Sequence, residues 1–113
     1  GLLATEGTLK TEIYEKLFKS EYKLIKPPHN LQIKSVNKTI KHVKMGNMKL
    51  AEKSIKPAIN YLIKNNCKKI ILGCTELPIA IFAFKSLKNS KISKLYLDPN
   101  LILANSSMAR YRK

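Results

Sequence analysis

The clearest feature of the hydropathy pattern is a fully apolar run, Ile70-Ile71-Leu72, with Lys68 and Lys69 before it and Gly73 after it. A short run bounded in this way predicts a strand buried on both faces of a parallel sheet. Elsewhere the apolar positions recur at helical spacing. Leu9, Ile13 and Leu17 follow the polar turn Thr5-Glu6-Gly7-Thr8 at intervals of four, which predicts a helix with Thr8 or Gly7 at its N-cap. Gly1-Leu2-Leu3-Ala4, just before that turn, reads as the end of a strand. Tyr22-Lys23-Leu24-Ile25-Lys26 predicts a further short strand, stopped by Pro27-Pro28 because proline has no N–H for a sheet ladder, and His29 then falls in a loop.

Ile33, Val36, Ile40 and Val43 trace one face of a helix that ends near Gly46. Met48, Ala51, Ile55, Ile59 and Leu62 trace one face of the next, with Asn47 as its cap. Pro57 removes one ladder bond from this second helix and predicts either a kink or a division at Lys56. Leu77 to Phe84 is too apolar for a solvated loop and predicts a short helix packed on the sheet. Ser90 to Ser93 reads as loop and Lys94-Leu95-Tyr96-Leu97 as a last strand. Asp98-Pro99 is a capping pair that opens a final helix through Ile102 and Met108. This alternation predicts an α/β fold, a mostly parallel sheet flanked by helices, with residues 1–113 forming one domain's worth of chain.

In open α/β sheets ligands sit beyond the carboxyl ends of the strands, and Cys74, Thr75 and Glu76 fall at that place after the central run. Gly73 permits a tight turn or a close backbone approach there. Position alone does not make Cys74 reactive, since free cysteine is among the most buried residue types. The hydroxyls of Thr5 and Thr8, with the free N–H groups of the first helical turn, suit a carboxylate or phosphate. Both threonines equally suit simple capping, and the spacing leaves the two roles open.

Composition narrows the possibilities. The formal net charge of +15 comes from 22 basic and 7 acidic residues, a balance that raises nucleic acid or an anionic surface as partner. Nearly all the basic residues are lysines spread along every segment, with Arg110 and Arg112 at the far end, whereas base and bidentate phosphate recognition favour arginine. The charge therefore reads as a solvated surface, not a nucleic-acid face, with a salt-sensitive affinity for polyanions as its general consequence. Cys67 and Cys74 are spaced for neither zinc nor a disulfide framework, and Cys67 reads as a bystander. A reduced, cytoplasmic setting fits two free thiols. No apolar run approaches the roughly 20 residues that cross a bilayer, so no membrane partner is expected.

Three separated stretches then coincide with one family. Gly1-Leu2-Leu3-Ala4-Thr5-Glu6-Gly7-Thr8, Val43-Lys44-Met45-Gly46-Asn47 and Leu72-Gly73-Cys74-Thr75-Glu76-Leu77, in this order and spacing, resemble the cofactor-independent aspartate/glutamate racemases, the aspartate racemase branch in particular. Leu97-Asp98-Pro99 is similar to that branch's final strand-to-helix turn. The resemblance covers essentially the whole chain and implies one half of a pseudo-symmetric two-domain racemase fold. In that fold two similar α/β halves face each other across a cleft, each with one catalytic cysteine.

By this resemblance residues 1–113 are the C-terminal half, without the N-terminal half and its cysteine motif. Cys74 matches the second-half acid/base. Thr75 is similar to a residue that holds a substrate carboxylate, and Lys44 matches a basic residue near the pocket. Thr5 and Thr8 match the pocket-lining turn, and Glu76 stands where glutamate racemases carry His.

The implied activity is isomerisation of a small acidic amino acid, aspartate first, without cofactor or metal. A base and an acid must flank the α-carbon, so one cysteine serves one face and this half alone is expected to be a very poor racemase. The implied partner is the other half, or a second copy in a homo-oligomer. Lys44 and the helix opening at Thr8 are expected to lower the Cys74 pKa. The alternative is a non-catalytic basic remnant that self-associates or binds polyanions. A hydrolase-type use of Cys74 lacks a base, since neither His29 nor His42 is placed by any motif to activate it.

Overall fold

The computed structural model describes residues 1–18, 22–82 and 94–99 of the chain. Its centre is a three-stranded parallel sheet in the order β1-β2-β3, formed by β1 (Leu2–Leu3), β2 (Ile70–Leu72) and β3 (Tyr96–Leu97). Leu2 pairs with Ile71 and Leu3 with Leu72 on one side of β2, while Ile70 pairs with Tyr96 and Ile71 with Leu97 on the other. The apolar run is thus the middle strand, and all three of its residues are buried. Parallel pairing explains why: the crossover helices cover both faces, so no solvent side is left for polar residues.

Strand periodicity divides the core in two. Leu3, Ile70, Leu72 and Tyr96 face one way, against Val36, Ile40, Ile55, Ile59, Leu62, Leu77 and Ile81 of the helices. Leu2, Ala4 and Ile71 face the other way and meet the partly buried Leu9, Tyr14, Phe18, Leu24 and Leu97. Tyr96 closes the larger cluster with its ring edge-on to Phe82, at a centroid distance of 6.1 Å. Its buried hydroxyl has no hydrogen-bond partner among the described residues, and burial pushes its pKa up to about 12.

The helices are α1 (Glu6–Thr11), α2 (Ile13–Phe18), α3 (His29–Leu31), α4 (Lys38–Lys44), α5 (Met48–Lys64) and α6 (Glu76–Phe82), with a π-helical segment at Gln32–Asn37. Several departures from the hydropathy pattern have local causes. The helix after β1 is capped by Thr5, whose side chain accepts from Thr8 N–H, and not by Gly7 or Thr8. It breaks at Glu12, which sits in the left-handed region at φ 53°, so Leu9, Ile13 and Leu17 share no buried stripe. Ile13 is 50% and Leu17 69% exposed, and the break turns Tyr14 and Phe18 inward instead.

Residues 23–28 form neither strand nor helix. Leu2 N–H to Ile25 O, at 2.9 Å, links them to β1, and the two prolines deny the segment further donors at its end. His29 opens a helix where the sequence pattern expects a loop, because Pro28 at the N-cap, with ψ of 160°, starts the next helical stretch directly. Within the π segment Ile33 is 40% exposed while Val36 is buried, and Ile40 in α4 is buried as well. Gly46, at φ 75°, ends that stretch as expected, and Asn47 caps α5 through Oδ1 to Leu50 N–H.

Pro57 does not divide α5, which runs unbroken from Met48 to Lys64. Ser35, buried in the π segment, reaches into the α5 ladder near the proline. Its hydroxyl accepts from Ala58 N–H at 3.2 Å and donates to Ser54 O at 2.5 Å, standing between the two groups of what would be an i to i−4 bond. The predicted helix after Glu76 is α6 as far as Phe82, and the predicted strand at 94–97 is β3. The predicted loop at Ser90 to Ser93 and the final helix through Ile102 and Met108 lie outside the described residues.

Candidate functional site

The carboxyl ends of β1 and β2 lie side by side, and every candidate loop leaves from them. Gly73 N–H donates to Leu3 O at 2.7 Å, carrying the β1 to β2 ladder one residue past the strand. A side chain there would crowd this junction: a Cβ on Gly73 would lie 3.1 Å from Ala4 Cβ and 3.3 Å from Leu3 O. Glycine lets the two strand ends approach, which brings Thr5 after Ala4 and Cys74 after Gly73 to the same edge.

Cys74 is half-buried, packed against the larger core cluster on one side and open on the other. Its sulfhydryl donates to Glu76 Oε2 at 2.8 Å. The same oxygen accepts from Thr75 Oγ1 at 3.0 Å, and Lys44 Nζ lies 3.9 Å from Oε1. The structure therefore brings Cys74, Thr75, Glu76 and Lys44 into one cluster, with the carboxylate at its centre. Lys44 comes from the last turn of α4, which packs against α6 and delivers the cation to this end of the sheet. Its ammonium is largely exposed, so the ion pair is a loose one.

The charge state of the cluster differs from the sequence expectation. Lys44 and the α1 turn do not lower the Cys74 pKa; burial pushes the thiol up first, and its hydrogen bond to Glu76 adds to this. Glu76 moves the opposite way, held below the ordinary carboxylate range first by the Cys74 hydrogen bond, with smaller support from Thr75 and Lys44. For the thiol the first cause is loss of hydration on burial, and the Glu76 carboxylate beside it adds to this by accepting its proton in a hydrogen bond and repelling a thiolate.

Thr5 and Thr8 satisfy one another. Thr5 Oγ1 donates to Thr8 Oγ1 at 3.0 Å and accepts from Thr8 N–H at 3.2 Å, which is capping geometry. Gln32 is a residue that sequence reasoning missed. Buried in the π segment, its Nε2 donates to Ala4 O at 2.8 Å and to Asn37 Oδ1 at 2.9 Å, fixing the end of β1 beside the Thr5 turn. The one available signal was a glutamine between Leu31 and Ile33 on an otherwise apolar approach. Cys67 is half-buried at the opposite end of the sheet, and neither His29 nor His42 belongs to the cluster.

With this geometry in place, comparison with known proteins gives its context. The sequence model of the Asp/Glu/hydantoin racemases matches residues 1–106, a span that includes β1, α4, β2 and the whole Cys74 cluster. The chain belongs to the Asp/Glu/hydantoin racemase family. It is also similar to the protein named "Uncharacterized protein in pnlA 3'region" from Pectobacterium carotovorum subsp. carotovorum, at 33% identity over 81 residues. Those residues are 72% of this chain and 54% of the relative, so the alignment spans about half the relative's length.

As a racemase-family domain, the chain keeps its cysteine cluster at the strand ends, away from its large cavity. That cavity, of about 650 Å³, lies at the other end of the sheet, lined by Gly1, Phe18, Tyr22, Leu24, Cys67 and Ile71 among others, and holds none of the candidate residues. Its walls are mostly apolar and include none of Cys74, Thr75, Glu76 and Lys44. Among the described residues no group of three or more His, Cys, Asp or Glu side chains could hold a metal ion. None of their helices is long and apolar enough to cross a membrane.

Proposed function

We propose that this domain carries one acid/base cysteine of a cofactor-independent amino-acid racemase, with Cys74 serving one face of the α-carbon of a small acidic amino acid, aspartate first. The observation that supports this most directly is the Cys74 sulfhydryl at a strand end, 2.8 Å from a carboxylate, within the span that matches the racemase family. Inversion at carbon requires a proton to leave one face and another to arrive at the opposite one. A thiolate takes the α-proton from one face of the substrate, and a thiol on the opposite face gives its own proton to the planar carbanion.

The substrate carboxylates need positive or N–H partners. Lys44 is suited to the distal carboxylate, because its own pair with Glu76 is long and exposed, and a better-placed anion displaces it. Thr75, Thr5 and Thr8 offer hydroxyls at the same edge once their present hydrogen bonds exchange. A second cysteine must come from the other half of the fold or from another chain, and residues 1–113 act as the C-terminal half of such an enzyme. Free thiols in both halves suit a reduced, cytoplasmic setting.

The test is exchange and interconversion of L- and D-aspartate in D2O, with this chain alone and mixed with a separately produced domain carrying the partner cysteine motif. The lone chain is expected to racemise at best very slowly, the mixture to racemise readily, and Cys74→Ser to abolish the gain. Racemisation by the lone chain at a full enzymatic rate, or a mixture indifferent to Cys74→Ser, would overturn the two-cysteine assignment.

A further inference from the structure

We propose that Glu76, tethered by Thr75 and Lys44, is a positioning residue that holds the proton on Cys74, so that this cysteine rests as a thiol and enters the reaction as the proton donor. This role rests on the racemase reading and takes its acid/base vocabulary from it. Its basis is geometric. Oε2 of Glu76 receives both the Cys74 sulfhydryl at 2.8 Å and the Thr75 hydroxyl at 3.0 Å, while Oε1 is turned to Lys44 at 3.9 Å. Three groups therefore orient a single carboxylate whose near oxygen is occupied by the reacting thiol.

A thiolate at this position would lie against an anion, so Glu76 makes ionisation of Cys74 unfavourable. Burial of the sulfur acts in the same direction. α6 packs against both α4 and α5, and α5 carries Lys49, Glu52, Lys53, Lys56 and Lys64. α6 carries Glu76, α4 carries Lys38, Lys41 and Lys44 together with His42, and the first turn of α1 carries Glu6. Of these, Lys44 makes the ion pair with Glu76.

The proton balance is simple. The S–H bond breaks, its proton goes to the α-carbanion, whose lone pair forms the new C–H bond, and the S–H electron pair stays on sulfur. The thiolate so formed, opposed by Glu76, is a stronger base than an isolated one. It regains a proton from the α-carbon of the opposite-handed substrate or from water. Glu76 itself does not change protonation state.

The test reads Cys74 without any substrate. In a Cys67→Ser background, the rate of alkylation by iodoacetamide is measured against pH, with folding followed by far-UV circular dichroism. Glu76→Gln is expected to lower the midpoint of this profile. A midpoint lower by about half a pH unit raises the rate near neutral pH about threefold, because the thiolate is the reacting form. A midpoint that stays in place or rises would overturn the proposal. Should Glu76→Gln unfold, Lys44→Gln decides: removing the exposed cation strengthens the carboxylate's repulsion and moves the midpoint up, and an unmoved or lowered midpoint counts against the proposal. The lock can fail while racemisation by the mixed domains stands, and the reverse, so the two claims are separable.

Discussion

At the scale of single residues, the cluster joins two opposed titrations. Cys74 keeps its proton to higher pH than an ordinary thiol, and Glu76 loses its proton at lower pH than an ordinary carboxylate; burial acts first on the thiol, and their shared hydrogen bond acts on both. The lowered carboxylate makes folding stability depend on pH. A carboxylate whose folded pKa lies below its unfolded value contributes stability fully above the unfolded value, near 4.3, and loses it as pH falls through the folded one. Wild type is therefore expected to lose more stability than Glu76→Gln on going from about pH 5 to about pH 3, as read by urea unfolding at each pH. Equal losses in the two proteins would show that the Cys74 hydrogen bond does not hold Glu76 ionised. Cys74, Thr75 and Glu76 were legible in the sequence at one strand end, and Lys44 through the family resemblance. The direction in which the thiol moves was not, because it depends first on how far the sulfur is buried and then on its hydrogen bond to Glu76, neither of which spacing along the chain specifies.

At the scale of elements, the pattern located the central strand, α4, α5 with its Asn47 cap, and β3, since each has a strong period or a clear cap. It erred where one residue's backbone overrides periodicity: Glu12 in the left-handed region breaks α1 from α2, and Pro27-Pro28 denies residues 23–28 a ladder. It also left Pro57 ambiguous, because the compensation comes from another element. Ser35 reaches α5 from the π segment, a local distortion that no hydropathy period reports. Removing its hydroxyl leaves Ala58 N–H and Ser54 O without their bridging partner in the core. Ser35→Ala is expected to cost about 1–3 kcal/mol, the penalty for buried polar groups left unmade, measured by chemical denaturation. A loss below about 0.5 kcal/mol would mean that α5 closes its own ladder once the hydroxyl is gone, and that Pro57 needs no help from its neighbour.

At the scale of the whole molecule, the net charge of +15 acts on everything just described. The ion pairs of Lys26 with Glu15, Lys44 with Glu76 and Lys56 with Glu52 are partly exposed and span 3.3 to 3.9 Å, so they offset little of the mutual repulsion of the lysines. Excess like charge destabilises the compact state, and screening relieves it. Between about 0.01 M and about 0.1 M salt the Debye length falls from about 30 Å to about 10 Å, so repulsion between more distant charges is progressively screened. Thermal unfolding is therefore expected to move to higher temperature over this range, first steeply and then levelling off. A site-specific polyanion surface would behave differently. Low concentrations of a polyanion such as heparin would then stabilise the fold far more than sodium chloride at matched ionic strength, because binding to the folded state adds to screening. Equal stabilisation by the two at matched ionic strength is the outcome expected of lysines dispersed over a solvated surface. It would be consistent with the proposed use of Lys44, at the Cys74 edge, as the group that meets a substrate carboxylate. A clear excess for the polyanion would favour the binding module over the racemase half.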